Sequence, residues 1–204
     1  KPRSAVTVNG SLPAPLLRWR EGDTVNIRVD NAMPATSVFG RSTSIHWHGI
    51  ILPANMEGVP GMSFNGIAVG ESYQYRFKLG QSGTYWYHSH TGHQEQRGVY
   101  GAIVIEPKTE TKAADHDEVV ILSDWTDEDP RDVQRSLLRG SDWYSFRKGT
   151  SQSLLGAYQA GKLGEYLDRE RALVPPMDLS DVAYDAFLMN GQRRLQLPGK
   201  PGET

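Results

Sequence analysis

The chain has 204 residues, enough for one domain or two small ones and for a real hydrophobic core. Its 22 lysines and arginines stand against 24 aspartates and glutamates, a balance that points neither to nucleic acid nor to an anionic membrane surface. There is no run of 18 apolar residues that would form a spanning helix and no cysteine for a disulfide framework, and the start Lys1-Pro2-Arg3-Ser4 has no apolar signal-peptide core.

From the N-terminus, Ala5 to Arg18 carries Val6, Val8, the Asn9-Gly10 turn signal, Pro13 and Pro15, and predicts a short strand, a turn and a proline-bounded strand. Gly22-Asp23 then opens Thr24 to Val29, where Val25, Ile27 and Val29 alternate with Thr24, Asn26 and Arg28. That is the pattern of a half-buried strand ending in the Asp30-Asn31 turn. Ile45 to Leu52 predicts an apolar strand, and Pro53 to Gly70 is a long connection rich in Gly, Pro and Asn, the kind of loop that often carries function. Ser72 to Leu79 alternates Tyr73, Tyr75 and Phe77; Gly83 to His88 is aromatic; Tyr100 to Ile105 is β-branched; Glu118 to Leu122 runs through Val119, Val120 and Ile121. Strands spaced by turn signals, with no helical pattern between them, predict an antiparallel β-sandwich spanning residues 1–112.

After Lys108 the character changes. Thr109 to Asp117 is polar and charged, which suits a linker, and Val119 to Ser123 reads as the start of a second sheet. Asp132 to Leu173 has helical spacing in Val133, Leu137 and Leu138, and again in Leu154, Leu155, Tyr158, Leu163, Tyr166 and Leu167. Gly156, Gly161 and Gly164 weaken the later helical stretch by about 1 kcal/mol each relative to alanine, and Pro175-Pro176 stops it. Val182 to Met189 predicts another strand, followed by a tight turn at Asn190-Gly191. Residues 113–204 are therefore expected to hold a linker, a helical insertion and the start of an incomplete second domain.

Two histidine pairs stand out, His46-Trp47-His48 and His88-Ser89-His90, and together they account for four of the six histidines. On a strand, residues i and i+2 share a face and lie roughly 6.5 Å apart, so each pair aims both imidazoles one way and turns Trp47 to the other face. With the two pairs on neighbouring strands about 4.8 Å apart, four neutral imidazoles meet on one patch, a donor set for copper or zinc.

Beyond the pairs themselves, the segments Asn9-Gly10-x-x-Pro13-x-Pro15, Gly22-Asp23-x-Val25, His46-Trp47-His48-Gly49, Gly58-Val59-Pro60-Gly61, Tyr85-Trp86-Tyr87-His88-Ser89-His90 and Gly98-Val99-Tyr100-Gly101 resemble the first cupredoxin domain of the multicopper oxidases. Leu52 to Gly61 and Leu188-Met189-Asn190-Gly191 resemble the periplasmic copper-resistance branch of that family. The resemblance implies an all-β, cupredoxin-like Greek-key sandwich followed by an incomplete second cupredoxin domain with a helical insertion. It also implies a periplasmic, laccase-like oxidase that takes single electrons from a small reductant, cuprous ion or a phenol, and reduces dioxygen to water at a trinuclear copper cluster. By position, the resemblance gives His46 to the type 2 copper and His48, His88 and His90 to the paired type 3 coppers. Glu57 stands where the family commonly has an acid that serves protons, here one methylene longer.

The departure from the family is equally plain. A type 1 blue-copper site needs a cysteine thiolate, and this chain has no cysteine and neither the His-Cys-His nor the His-Pro-x-His-x-His segment that supplies the rest of the cluster. The expectation is an N-terminal portion, inactive alone, that contributes half of the trinuclear site, with the C-terminal part or a partner chain supplying the remainder. Other readings stay open: a copper-sequestering module without turnover, a zinc hydrolase, or a cupin, although Leu52 or Pro53 stands where a cupin expects glutamate. Of the other polar and soft side chains, His93 reads as a surface or supporting residue and His116 as solvated. Gln94 and Gln96 read as polar loop residues near the site, Met33, Met56 and Met62 as packing residues, and Trp125, Trp143 and Tyr144 as anchors for the helices.

Overall fold

The computed structural model describes residues 4–109, 114–139, 144, 147, 154–172 and 182–203. The chain divides into two compact units, Lys1–Ser123 with Leu188–Thr204, and Asp124–Phe187. The expected division at residue 112 and the expected anchor Trp143 lie outside the described residues, as do Leu173 and the Pro175-Pro176 stop.

The first unit is built from β1 (Leu17–Arg20), β2 (Thr24–Asp30), β3 (Ser42–Thr43), β4 (His46–His48), β5 (Ile67–Ala68), β6 (Ser72–Lys78), β7 (Gly83–His88) and β8 (Tyr100–Glu106), with 3-10 turns at Ala54–Met56 and Glu95–Arg97. One sheet runs in the order β1-β8-β7-β4, while β2 pairs with β6 and β3 with β5. The expected β-sandwich is borne out, with one difference from an all-antiparallel layout: β1 runs parallel to β8, Leu17 opposite Ile103.

Alternation explains the pairing of β2 with β6. Their antiparallel register sets Val25 against Phe77, Ile27 against Tyr75 and Val29 against Tyr73, aromatic on β-branched, a favourable type of cross-strand neighbour. The core lies behind the histidine strands. Trp47, turned away from its two histidine neighbours, is fully buried and packs its ring on Tyr75 (5.3 Å, 84°), Phe77 (5.5 Å) and Tyr87 (5.9 Å). Tyr87, opposite Trp47 across β4 and β7, donates its hydroxyl to Pro15 O at 2.6 Å, and burial raises its pKa well above the ordinary phenol range. Its ring lies flat against Gly101, where an added Cβ would stand only 2.6 Å away.

Several predicted strands are shorter or shifted, each for a visible reason. The Ile45 to Leu52 segment keeps strand geometry only over His46–His48, because Gly49 takes φ +80 and Ile50 N turns back to Trp47 O at 3.3 Å. Val119 to Ile121 is not a ladder strand. There the Asn190 side chain takes the strand's part, accepting from Ile121 N (2.8 Å) and donating to Val119 O (2.9 Å). The strand β9 (Leu122–Trp125) starts beyond that clamp and pairs with β10 (Ala186–Met189), which runs into the expected turn, with Asn190 at φ 49 and Gly191 at φ 77.

In the second unit, α1 (Pro130–Leu138) begins two residues earlier than predicted, because Asp129 caps it by accepting from Arg131 N and Pro130 fills the first helical position. Gly161, at φ +69, separates α2 (Leu154–Gln159) from α3 (Leu163–Ala172). Leu138, Leu154, Leu155 and Leu167 are exposed, whereas Ala157 and Tyr144 are buried, and the Tyr144 hydroxyl donates to Glu128 Oε2 at 2.8 Å. Trp125 is half-buried and gives its indole N–H to Asp127 Oδ1. No described helix is long and apolar enough to cross a membrane.

The loop after the first histidine pair is held by one close approach. Gly58 sits at φ +70 directly against the Ile45 carbonyl, so a Cβ there would overlap that oxygen and crowd the Tyr75 hydroxyl at 3.1 Å. We expect Gly58→Ala to lower unfolding free energy by at least about 2 kcal/mol in denaturant titrations, since neither backbone can yield cheaply.

Candidate metal centre

The antiparallel register of β4 and β7 places His46 opposite His88 and His48 opposite Trp86. Directly paired residues share a face, so the rings of His46, His48 and His88 are brought to one side of the sheet by strand geometry alone. Their centroids lie 5.5 Å (His46 to His48), 5.4 Å (His46 to His88) and 5.4 Å (His48 to His88) apart. His90 follows two residues beyond the end of β7, exposed, with its ring 5.5 Å from His46 and 6.0 Å from His88. All four predicted ligands therefore meet on one patch. The tightest group among the described residues is His46, His48 and His88, each offering a ring nitrogen within 4.8 Å of the others.

Which nitrogen each ring offers follows from what the other nitrogen does. His46 Nδ1 lies 2.7 Å from the Glu57 carbonyl oxygen, which can only accept, so Nδ1 carries the proton and Nε2 is left with its lone pair. Its pKa is held below the ordinary imidazole value chiefly by burial, against the opposing Glu57 carbonyl, and His88 and His48 lower it further. His88 Nδ1 faces two acceptors, Glu95 Oε2 at 2.8 Å and Ser89 O at 3.0 Å, so its Nε2 is likewise the free one. That Nε2 stands 3.2 Å from His48 Nδ1, a separation at which two nitrogens share either a proton or a cation. Trp86 closes one side, stacked on His88 at 4.1 Å and 17° and on His48 at 5.0 Å and 28°.

The turn after the second pair is braced by a residue that the sequence offered only as a polar loop side chain. Gln94 is fully buried and its amide makes four hydrogen bonds. Oε1 accepts from Thr43 Oγ1 (2.8 Å) and Ser89 Oγ (2.9 Å), and Nε2 donates to Ser42 O (2.8 Å) and Phe39 O (3.0 Å). Ser44 adds a second tie, accepting from His90 N at 3.0 Å and sharing a hydrogen bond with Thr91 Oγ1 at 2.9 Å. Nothing in a single sequence marks Gln94 or Ser44, because their value is in contacts some 50 positions away.

The remaining candidates fall elsewhere. Glu57 reaches His46 through its backbone, with its carboxylate 3.8 Å from Nδ1. His93 is half-buried and outside the ring-nitrogen group, and Gln96 is exposed. His116, expected to be solvated, is paired with Glu203 at 3.0 Å. Met56 Sδ accepts from Arg76 N, while Met62 is exposed and Met33 half-buried.

Against known proteins, a family model described as multicopper oxidase matches residues 1–110. The chain belongs to the multicopper oxidase family. It is 51% identical over 197 residues to copper resistance protein A of Pseudomonas syringae pv. tomato, covering 93% of this chain and 31% of that protein. It is 49% identical over 201 residues to copper resistance protein A of Escherichia coli, covering 95% and 32%. Among solved structures it is similar to Fet3p, titled a multicopper oxidase that functions in iron import, with TM-score 0.59 and 33% identity over 69% of this chain and 26% of that one. It is also similar to a multi-copper oxidase from Pseudomonas thermotolerans, with TM-score 0.54 and 35% identity over 60% and 29%. The chain spans about a third of the length of these curated relatives. The cupin reading falls away with these matches.

We expect Gln94→Leu to cost about 3 kcal/mol or more of folding stability, because it strands two hydroxyls and two carbonyls in the interior. Thermal and urea unfolding of the purified variant check it; a loss below about 1 kcal/mol would show that the turn needs no such brace.

Proposed function

We propose that this chain is the N-terminal portion of a copper-resistance multicopper oxidase and contributes one half of a trinuclear copper site. The observation that carries the reading is the convergence of four imidazoles, two per strand segment, with the outward nitrogen of His46 and His88 tied to an acceptor and the inward one free. The donor set suits copper: nitrogen only, close enough for neighbouring ions, and open on the exposed side of His48 and His90. His46 is assigned to the type 2 ion and His48, His88 and His90 to the type 3 pair. When bound, copper supplies the one-electron chemistry through which a small reductant, cuprous ion or a phenol, is oxidised and dioxygen reduced to water.

The chain's own side chains supply orientation and protons. Glu57 fixes the His46 ring with its main-chain carbonyl, and its carboxylate, about one-third exposed, lies 3.8 Å from the same outward nitrogen, Nδ1, where we assign it the role of serving protons. Trp86 shields one flank of the His48 and His88 rings by stacking on them. We place the first cupredoxin domain at residues 1–112 and the linker, helical insertion and start of a second cupredoxin domain at 113–204. Further parts of this reading are a C-terminal part that completes the site and carries the type 1 copper, and a periplasmic location.

With no cysteine in the chain, the copper-loaded polypeptide alone should show no intense blue thiolate band and no phenol oxidation. Combined with the remaining two-thirds of the oxidase it should gain both, and His88→Ala should abolish oxygen consumption in the complete enzyme. Phenol oxidation by the isolated chain, or full oxygen consumption by the complete His88→Ala enzyme, would contradict the proposal. Tight copper uptake with no turnover in any combination would favour a sequestering module instead.

A further inference from the structure

We propose that Glu95 is a positioning residue for the copper ligand His88, acting through the ring's outward nitrogen; the inference rests on the copper reading above. The contact is a close ion-pair approach, His88 Nδ1 to Glu95 Oε2 at 2.8 Å, on a ring that is nearly fully buried, beside the hydrogen bond that the same nitrogen gives to Ser89 O at 3.0 Å. Both oxygens beside Nδ1, Glu95 Oε2 and Ser89 O, favour the proton on that nitrogen and leave the lone pair on Nε2, which faces His48 Nδ1 at 3.2 Å; the carboxylate adds its charge to what the carbonyl does. An imidazole tied in this way is both oriented and made a stronger donor to metal.

The backbone fixes where that carboxylate sits. Gln94, locked in the interior by its side chain, also accepts from Arg97 N and Val99 N through its own carbonyl, both at 3.1 Å. Glu95 starts the 3-10 turn Glu95–Arg97, which closes as Gly98 N donates to Glu95 O at 3.0 Å. Glu95 is thus pinned on both sides, and its side chain, one-third exposed, bends back over His88. The two ligands that face each other across β4 and β7 are therefore oriented by unlike devices. His46 has a neutral carbonyl at 2.7 Å, with the Glu57 carboxylate only at 3.8 Å, whereas His88 has an anion in direct contact. This asymmetry makes His88 the stronger donor of the facing pair, and it assigns the carboxylate in direct contact with a ligand ring to Glu95 rather than Glu57.

The test uses the 15N-labelled chain. Long-range proton–nitrogen spectra of the copper-free protein should show His88 as the Nδ1–H tautomer, and competition with a chromophoric chelator gives its affinity for cuprous ion. In Glu95→Ala we expect the Nε2–H form of His88 to become populated and cuprous affinity to fall about 10- to 100-fold. Glu95→Gln keeps an acceptor oxygen and should retain the tautomer while losing less affinity. Because the Glu95 side chain is partly exposed, circular dichroism and unfolding midpoints should match wild type and verify the fold. Ser89 O, 3.0 Å from the same nitrogen, is the competing acceptor. If it suffices alone, Glu95→Ala keeps the wild-type tautomer and binds cuprous ion within about twofold of wild type, and the proposal is overturned. A wild-type chain that binds no copper, with the tautomer shift still present in Glu95→Ala, would overturn the copper reading while supporting the orientation of His88 by Glu95.

Discussion

The cross-strand pairing of His46 with His88 is the constraint from which the site follows. Because β4 and β7 run antiparallel in that register, His46 and His88 point the same way, His48 joins them from two residues on, and Trp47 and Tyr87 are driven together to the opposite face. A slip of one residue would exchange the two faces, burying imidazoles in the aromatic core and exposing Trp47. The large burial of Trp47, Tyr75, Phe77 and Tyr87 thus protects the register, and through it the metal-facing geometry. Fold stability and ligand placement are here the same physical fact seen from two sides of one sheet.

Register brings the rings together, but it does not decide which nitrogen each presents. That is settled by the atoms on the outward side: a backbone carbonyl for His46, and a carboxylate and a carbonyl for His88. Glu57 and Glu95 in turn sit in two held loops, the Glu57-Gly58 loop packed directly against Ile45 and the Thr91 to Gly98 turn wound around buried Gln94. Such a fully satisfied interior amide is a stiff support, because losing any one bond leaves a polar atom stranded in low dielectric. The loops carry the chemistry and the sheet carries the loops.

Much of this was readable from the residues. The alternation of Val25, Ile27 and Val29 and of Tyr73, Tyr75 and Phe77 marked β2 and β6, and the two His-x-His pairs marked the site and its likeness to the multicopper oxidases. The convergence of His46, His48 and His88 needed only the period-2 rule and one pairing. What escaped was set by long-range contacts. Gln94 carries no local signal for its bracing role, since three of its four partners, Phe39, Ser42 and Thr43, lie more than 50 positions away; Glu95, seven positions past His88, is brought to that ring by a turn that no residue pattern marks. The shortening of the His46 strand is a local turn at Gly49, where Ile50 N folds back to Trp47 O, whereas the Asn190 side chain clamps Val119 and Ile121 from some 70 positions away. His116 found a partner 87 residues away, which no window along the sequence could reveal.

On the proposed reading, in which a C-terminal part completes the site, this chain holds its share of the ligands preset: ring nitrogens aimed by the acceptors behind them and one flank walled by Trp86. The most direct measurement is the position of copper itself, located by anomalous scattering at the copper edge in crystals of the copper-soaked chain. The account predicts metal at the inward nitrogens, His46 Nε2, His48 Nδ1 and His88 Nε2, with at least one coordination position left open toward solvent. Copper found away from these rings, or held in a shell that this chain closes entirely with its own residues, would contradict it.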